Sequence, residues 1–129
     1  MSKTVVFVCV HNSGRSQMAE AFFNQLAQGK ALALSAGTQP GDSVNPVVVE
    51  AMKEVGIDIS GNKPKMLTLE MIEKAAKMIT MGCGDDAGRT QPEDWKLADP
   101  QGKSLAQVRI IRDEIKQRVA ALVQKITAE

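Results

Sequence analysis

Residues 3–28 read KTVVFVCVHNSGRSQMAEAFFNQLAQ. The stretch up to Cys9 is mostly β-branched and apolar on both faces, which is typical of a central strand in a parallel sheet. A polar turn over residues 11–14 follows, and three apolar side chains then recur four residues apart on one face of a helix over about residues 15–28. These are Met18, Phe22 and Leu26. The segment therefore predicts a strand, a tight loop and a helix in immediate succession.

The rest of the chain continues the alternation of strands and helices. Further strands are predicted at 31–36, 77–81 and 95–97, and further helices at 44–55, 68–75 and 105–126. Such alternation implies right-handed crossovers onto one parallel sheet, so we predict a three-layer α/β/α fold. Ligands bind at the carboxyl ends of the strands in such a sheet, and Cys9 and Cys83 both follow predicted strands at that edge.

Length, charge and cysteine usage limit the classes of function. A chain of 129 residues without linker or repeat predicts a single domain over residues 1–129. Sixteen Lys and Arg against fifteen Asp and Glu give a formal net charge of +1, which favours neither nucleic acid nor a membrane surface as partner. No apolar run approaches the roughly 20 residues of a membrane span, and we expect a cytoplasmic chain. The chain has two cysteines, and in a reducing compartment cysteines more often take part in a reaction than in a structural disulfide.

Cys9 and Arg15 stand on either side of a five-residue loop, Val10, His11, Asn12, Ser13 and Gly14. A loop this short turns successive backbone N–H groups inward as an anion nest, and the following helix adds its positive end. Arg15 can bind two oxygens of a tetrahedral oxyanion at once. The positive electrostatic potential of the loop amides, the helix N-terminus and Arg15 also favours the thiolate form of Cys9. Ser16 or Ser13 can donate a hydrogen bond to that sulfur. The alternative, a small buried cysteine beside an ordinary turn, is disfavoured by the strand before the loop and the helix after it.

The segment from Val8 to Glu20 resembles the active-site segment of the arsenate reductases that share the low-molecular-weight protein tyrosine phosphatase fold. Further resemblances follow in order along nearly the whole chain, at 35–37, 55–60, 81–85, Trp95 and 99–100. The resemblance implies a four-stranded parallel sheet with helices on both faces. It also implies an enzyme of arsenic detoxification whose loop cysteine attacks arsenate, as in the thioredoxin- or mycothiol-coupled members of the family.

The resemblance assigns roles to individual residues. It makes Cys9 the nucleophile, Arg15 and the loop amides the oxyanion-binding groups, and Ser16 the residue that stabilises the thiolate. Asn12 matches the residue that holds the shape of the loop. Asp99, followed by Pro100, resembles the general acid that protonates the departing oxygen, a role that suits a carboxyl group. The alternative for Asp99 is a turn-forming residue before proline.

Cys83 resembles the resolving cysteine of the family, whose thiol attacks the sulfur of Cys9 and leaves a disulfide as arsenite departs. A buried structural cysteine is the alternative. A three-thiol relay is excluded because no third cysteine follows in the sequence. The reductant is then either thioredoxin or glutaredoxin acting on a Cys9–Cys83 disulfide, or a small thiol such as glutathione or mycothiol. No tightly bound cofactor and no metal are expected, and His11 has no metal-ligand cluster to join.

Lys65 departs from the pattern of relatives that bind potassium beside the loop. The matching positions here are Asn12, Glu20, Ser35 and, where an aspartate is expected, Lys65. Its ammonium can replace the cation and pair with Glu20 or Asn12, so we predict no potassium dependence. A solvated surface lysine is the alternative.

Two other functions remain open at this stage. A tyrosine phosphatase shares the first chemical step, but the chain has no Tyr, one Trp and three Phe, few rings to grip a phenyl group. Weak phosphatase activity is compatible with the loop, and phosphate or sulfate would compete with arsenate. A non-catalytic oxyanion-binding or redox-sensing module is the third reading. A monomer is expected, although the net charge neither requires nor excludes a dimer.

Overall fold

The computed structural model describes residues 3–81 and 93–128. In chain order the elements are β1 (Lys3–Cys9), α1 (Arg15–Ala27), β2 (Ala31–Gly37), α2 (Pro46–Lys53), α3 (Leu69–Lys74), β3 (Lys77–Thr80), β4 (Glu93–Asp94) and α4 (Leu105–Ala128). This order confirms the predicted alternation of strands and helices. Two helix starts follow from their caps: Asn45 accepts a hydrogen bond from the N–H of Val47, and Thr68 accepts one from the N–H of Met71.

The strands form one parallel sheet in the order β2-β1-β3-β4, which confirms the predicted fold class. β1 lies between two parallel neighbours, with Cys9 opposite Gly37 of β2 and Val8 opposite Thr80 of β3. Its residues from Val5 to Cys9 are buried, which explains why that run is apolar at every position. The carboxyl end of β1 is therefore flanked by the ends of both neighbouring strands.

The two faces of the sheet are covered unequally. On one face, α1, α2 and α4 pack over Val5 and Phe7 of β1, Ala33 of β2 and Ile79 of β3 in the larger hydrophobic core. On the other face, a smaller cluster around Val6, Val8 and Met78 packs against residues of α3 and of the segments beside it. The buried Arg112 of α4 ties that helix to α2 by donating to the carbonyl of Ala51 at 2.9 Å.

The prediction of a strand at 95–97 is wrong, because β4 consists of Glu93–Asp94. The N–H of Trp95 still donates to the carbonyl of Thr80 at 2.7 Å, and the chain then leaves the sheet. Trp95 and Leu97 are buried while Lys96 between them is exposed. The alternation that suggested a strand therefore reflects burial of an extended segment against the core, not backbone pairing.

The predicted position of Cys83 at the end of β3 lies outside the described residues. Within the ranges that are described, every helix is too short or too polar to cross a membrane.

Candidate active site

The loop over residues 10–14 joins the end of β1 to the start of α1. Asn12 has a φ of 51°, in the left-handed region that asparagine tolerates better than most residues. The end of β2 packs directly on this loop. A Cβ on Gly37 would lie 2.6 Å from the carbonyl oxygen of Val10, so glycine is required for that approach.

The carbonyls of the loop are held outward by a segment that lies beside them. Backbone N–H groups of residues 38–45 donate to the carbonyls of Cys9, Val10, His11 and Ser13 at 2.8–3.2 Å. The carbonyl of Gly14 accepts from the N–H of Met18 in α1 at 3.0 Å. In a trans peptide the N–H points opposite to the carbonyl, so the amides of the loop face inward. Successive amides that face inward are the geometry that an anion nest requires.

Cys9 lies beneath the loop, 2% exposed, with its Sγ 2.8 Å from the Oγ of Ser16. The neighbouring hydrogen bonds fix the orientation of the Asn12 amide beside Ser16. The N–H of Lys65 donates to Oδ1 of Asn12 at 2.9 Å, so the Nδ2 of Asn12 is the atom that donates to the Oγ of Ser16 at 2.7 Å. The hydroxyl proton of Ser16 is not used by that bond and remains available to donate to the sulfur. A thiolate on Cys9 could accept it, because a thiolate has no proton of its own to donate.

Arg15 is buried at the first turn of α1 and reaches the segment before Pro100. Its Nη1 donates to the carbonyl of Leu97 at 3.0 Å, and its Nη2 lies 3.9 Å from Oδ2 of Asp99. The guanidinium is thus held at the edge of the loop by a backbone carbonyl, with a carboxylate close by. Such anchoring holds the planar guanidinium in one orientation, as binding of an oxyanion through two hydrogen bonds requires.

Asp99 lines the same cavity as Cys9 and Arg15, a space of about 450 Å³ at the carboxyl end of the sheet. Its side chain is half exposed, and its Oδ1 accepts a hydrogen bond from the N–H of Gln101 at 3.0 Å. The turn-forming role and a position facing the nucleophile therefore coexist in one residue. Sequence reasoning considered these two roles as alternatives.

Sequence reasoning missed the second wall of the cavity, which comes from the segment between β2 and α2. That wall consists of Gly41, Asp42, Ser43 and Asn45. The described lining residues include no Phe, Tyr or Trp. The predicted strand at 31–36 and the predicted helix at 44–55 leave a connecting loop between them. Only the path of the chain after β2 places that loop beside the end of β1.

Lys65 and Glu20 lie close together beside the loop. Asn12 and Ser35, which match the other residues of the potassium site of relatives, lie there as well. The Nζ of Lys65 lies 3.8 Å from Oε1 of Glu20, which also accepts a hydrogen bond from Ser35 at 2.7 Å. The backbone of Lys65 holds Asn12, as described above. The side chain of Lys65 is 43% exposed, so it is both paired and partly solvated. In the described part of the chain, no three His, Cys, Asp or Glu side chains gather as ligands for a metal ion.

Two further residues at the loop were not found from the sequence, Gln17 and Asn62. Gln17 is completely buried, and its side chain contacts Asn12, Asn62 and the carbonyl of Lys63. Its burial contradicts the usual exposure of glutamine, and the helical period around it gave no signal of a contact with residues 62–63.

The chain as a whole is similar to proteins of one known family. The family model described as low molecular weight phosphotyrosine protein phosphatase matches residues 4–129. A glutaredoxin arsenate reductase of Synechocystis is 40% identical over 131 residues, which cover 97% of this chain and 99% of that protein. The structure of a thioredoxin-dependent arsenate reductase of Corynebacterium glutamicum has a TM-score of 0.86 and 35% identity, covering 98% of this chain and 63% of that one. An arsenate reductase in the phosphate binding state has a TM-score of 0.84 and 39% identity, covering 96% and 98%.

Proposed function

Because the chain belongs to the low molecular weight phosphotyrosine protein phosphatase family, among the arsenate reductases of that fold, we propose that it reduces arsenate to arsenite through Cys9. One observation carries the proposal: the sulfur of Cys9 lies beneath a ring of inward-facing amides and 2.8 Å from the hydroxyl of Ser16. A tetrahedral oxyanion bound by those amides and by Arg15 would present its central atom to the sulfur.

In the first step the thiolate of Cys9 attacks arsenic. An As–S bond forms and an As–O bond breaks, while the loop amides and Arg15 neutralise the charge on the remaining oxygens. Asp99, across the cavity, protonates the departing oxygen so that it leaves as water. The oxidation state of arsenic does not change in this step.

In the second step another thiolate attacks the sulfur of Cys9. An S–S bond forms, the As–S bond breaks, and its electron pair remains on arsenic, which is reduced by two electrons and leaves as arsenite. Cys83 is our candidate for this thiol in the intramolecular form of the reaction. In the intermolecular form, glutathione, mycothiol or a redox protein supplies it.

An external thiol reductant must restore Cys9 in either form. The names of two similar proteins, one dependent on thioredoxin and one called a glutaredoxin arsenate reductase, support a thiol-redox partner without choosing between them. We also propose that the protein is cytoplasmic, because reduced thiols persist in that compartment. We propose that it acts as a monomer. Phosphate and sulfate are the expected competitors of arsenate, since both are tetrahedral oxyanions.

Phosphate ester hydrolysis is the second candidate, supported by the family to which the chain belongs. It shares the first step and differs in that water attacks the adduct. The polar lining of the described cavity walls argues against a phenyl-bearing substrate, so we rank this activity below arsenate reduction.

A single-turnover assay tests the proposal. Fully reduced protein receives stoichiometric arsenate without added thiol, and arsenite and free thiols are counted together. Arsenite with loss of two thiols supports the intramolecular form. Arsenite only after addition of a small thiol or thioredoxin supports the intermolecular form.

Cys9→Ser must abolish arsenite formation under both conditions, whereas Cys83→Ser must abolish it only where Cys83 is the resolving thiol. Hydrolysis of an aryl phosphate without any arsenite would overturn the reductase in favour of the phosphatase.

A further inference from the structure

Gln17 follows Ser16 in α1 and is completely buried, yet the steps above give it no role. Its Nε2 lies 3.1 Å from the carbonyl oxygen of Asn12 and 3.4 Å from that of Lys63. Backbone carbonyls only accept hydrogen bonds, so the nitrogen of the amide faces them and its orientation is fixed. Its Oε1 then accepts a hydrogen bond from the Nδ2 of Asn62 at 3.1 Å.

The carbonyl of Asn12 is held differently from the other carbonyls of the loop. Those of Cys9, Val10, His11, Ser13 and Gly14 each accept from a backbone N–H. The carbonyl of Asn12 accepts from the side chain of Gln17. Asn12 also has the left-handed φ of 51°, a conformation that costs energy outside glycine. The peptide between Asn12 and Ser13 is therefore a point of the loop whose orientation depends on a side chain.

That peptide matters for oxyanion binding. Its carbonyl and the N–H of Ser13 point in opposite directions, so a carbonyl held outward keeps the N–H directed into the nest. If the peptide turned over, a carbonyl oxygen would face the bound oxyanion in place of a donor. One donor would be lost and one repulsive dipole gained.

Gln17 acts on the nucleophile through the same neighbour. Its Nε2 also lies 3.1 Å from Oδ1 of Asn12, the oxygen that accepts from the N–H of Lys65. These two donors keep the Nδ2 of Asn12 facing Ser16, whose hydroxyl lies 2.8 Å from the sulfur of Cys9 and can donate to it. An apolar residue at position 17 would leave this orientation to the N–H of Lys65 alone.

We propose that Gln17 is a positioning residue that acts through Asn12 on both halves of the site. It directs the N–H of Ser13 toward the oxyanion and the hydroxyl of Ser16 toward the thiolate of Cys9. The inference deepens the proposed function, on which it rests for the identity of the substrate. Oxyanion binding and thiolate formation, however, are measurable without turnover.

The test uses the full chain with Cys83→Ser, which leaves Cys9 as its only thiol. Inorganic phosphate is the probe of the nest, and its dissociation constant is measured by calorimetry. The pH dependence of alkylation by iodoacetamide reports thiolate formation. Gln17→Met replaces the amide by an apolar side chain of similar length. Asn62→Ala is the matched control, because it removes the exposed partner of Gln17 and leaves its donors to Asn12.

We expect Gln17→Met to weaken phosphate binding about tenfold or more, the effect of losing one hydrogen bond to a charged group. The alkylation profile should move to higher pH. Asn62→Ala should change phosphate binding less than about twofold, because water can replace an exposed partner. A folded Gln17→Met variant with unchanged phosphate binding and an unchanged alkylation profile would overturn the proposal. Equal effects of the two variants would overturn it as well.

Gln17→Glu decides the matter where Gln17→Met does not fold. The introduced carboxyl group can donate one hydrogen bond when protonated and none when ionised. The ratio of its phosphate dissociation constant to that of the parent should therefore rise with pH, whereas a constant ratio close to one refutes the role. A protein that binds phosphate but releases no arsenite would refute the proposed function and not the role of Gln17.

Discussion

Gly14 and Pro100 are in direct contact: a Cβ on Gly14 would lie 2.6 Å from the Cγ of Pro100. The last residue of the oxyanion loop thus packs on the residue that follows Asp99. The buried Arg15 reinforces this junction through the carbonyl of Leu97. The spacing between Cys9 and Asp99 therefore depends on a contact that a side chain at position 14 would disturb.

Gly14→Ala is expected to lower kcat for arsenate about tenfold to a hundredfold, because Pro100 must shift and carry Asp99 with it. Phosphate affinity should change less than kcat. Gly61→Ala is the control, since a Cβ there meets nothing within 4 Å. Equal kcat values for the two variants would contradict the role of the contact.

Asp99→Asn is expected to reduce kcat by about a hundredfold or more, because an amide cannot protonate the departing oxygen. Phosphate binding should persist or strengthen, since a negative charge near the anion is removed. Asp42→Asn is the matched control, because Asp42 lines the opposite wall of the same cavity. If the two substitutions lower kcat equally in steady-state assays, Asp99 acts as a surface charge and not as the acid.

Wild-type protein is expected to unfold at the same temperature in potassium and in sodium chloride, because the ammonium of Lys65 lies beside Glu20 where a cation would bind. Lys65→Asp should introduce a potassium-specific rise in Tm, since its carboxylate would add an oxygen ligand to those of Glu20 and Ser35. Lys63→Asp makes the same change of charge at the neighbouring exposed lysine. A potassium-specific rise in the wild type would show that Lys65 does not replace the cation.

Glu54 joins α2 to α4, and its hydrogen bond with Arg109 lowers its pKa from 4.5 to about 2. A carboxyl group whose pKa is lowered in the folded state stabilises the fold above its unfolded pKa, and loses that effect as the pH falls toward the folded value. Glu54→Gln should therefore lower Tm at pH 7, with a difference from wild type that shrinks between about pH 4.5 and 2.

Glu114→Gln provides the comparison for this prediction, because it removes an exposed pair with Arg118 within α4. Thermal unfolding of that variant should differ little from wild type at any pH. A difference for Glu54→Gln that is constant from pH 7 to pH 2 would mean that the carboxylate is not the stabilising group.

The order of elements was predictable because each leaves a local pattern. β1 is apolar on both faces since a hydrophobic cluster covers each face of the sheet, and α1 and α4 carry apolar positions at the helical period. β4 was misplaced because Trp95 and Leu97 are buried at alternate positions without pairing. Alternate burial in an extended segment gives the same sequence pattern as a half-buried strand.

The candidate site also has some features that local sequence predicts and others that it does not. Cys9 and Arg15 flank one short loop, so their pairing is predictable from spacing alone. Spacing left Ser13 and Ser16 open as partners of the sulfur, and the structure places Ser16 there. The wall at Asp42 and the contact between Gly14 and Pro100 join residues far apart in the chain. No local pattern encodes such contacts, because they depend on how the crossovers pack.

The sequence by itself determined that a cysteine and an arginine flank a short loop between a strand and a helix, since backbone geometry makes such a loop an anion nest. Only the tertiary structure decided which way the hydrogen bonds of that nest run. The N–H of Lys65, brought to Asn12 from more than 50 residues away, fixes the amide of Asn12, which donates to the hydroxyl of Ser16 beside Cys9. The direction of a hydrogen bond depends on its other partners, and folding supplies those partners.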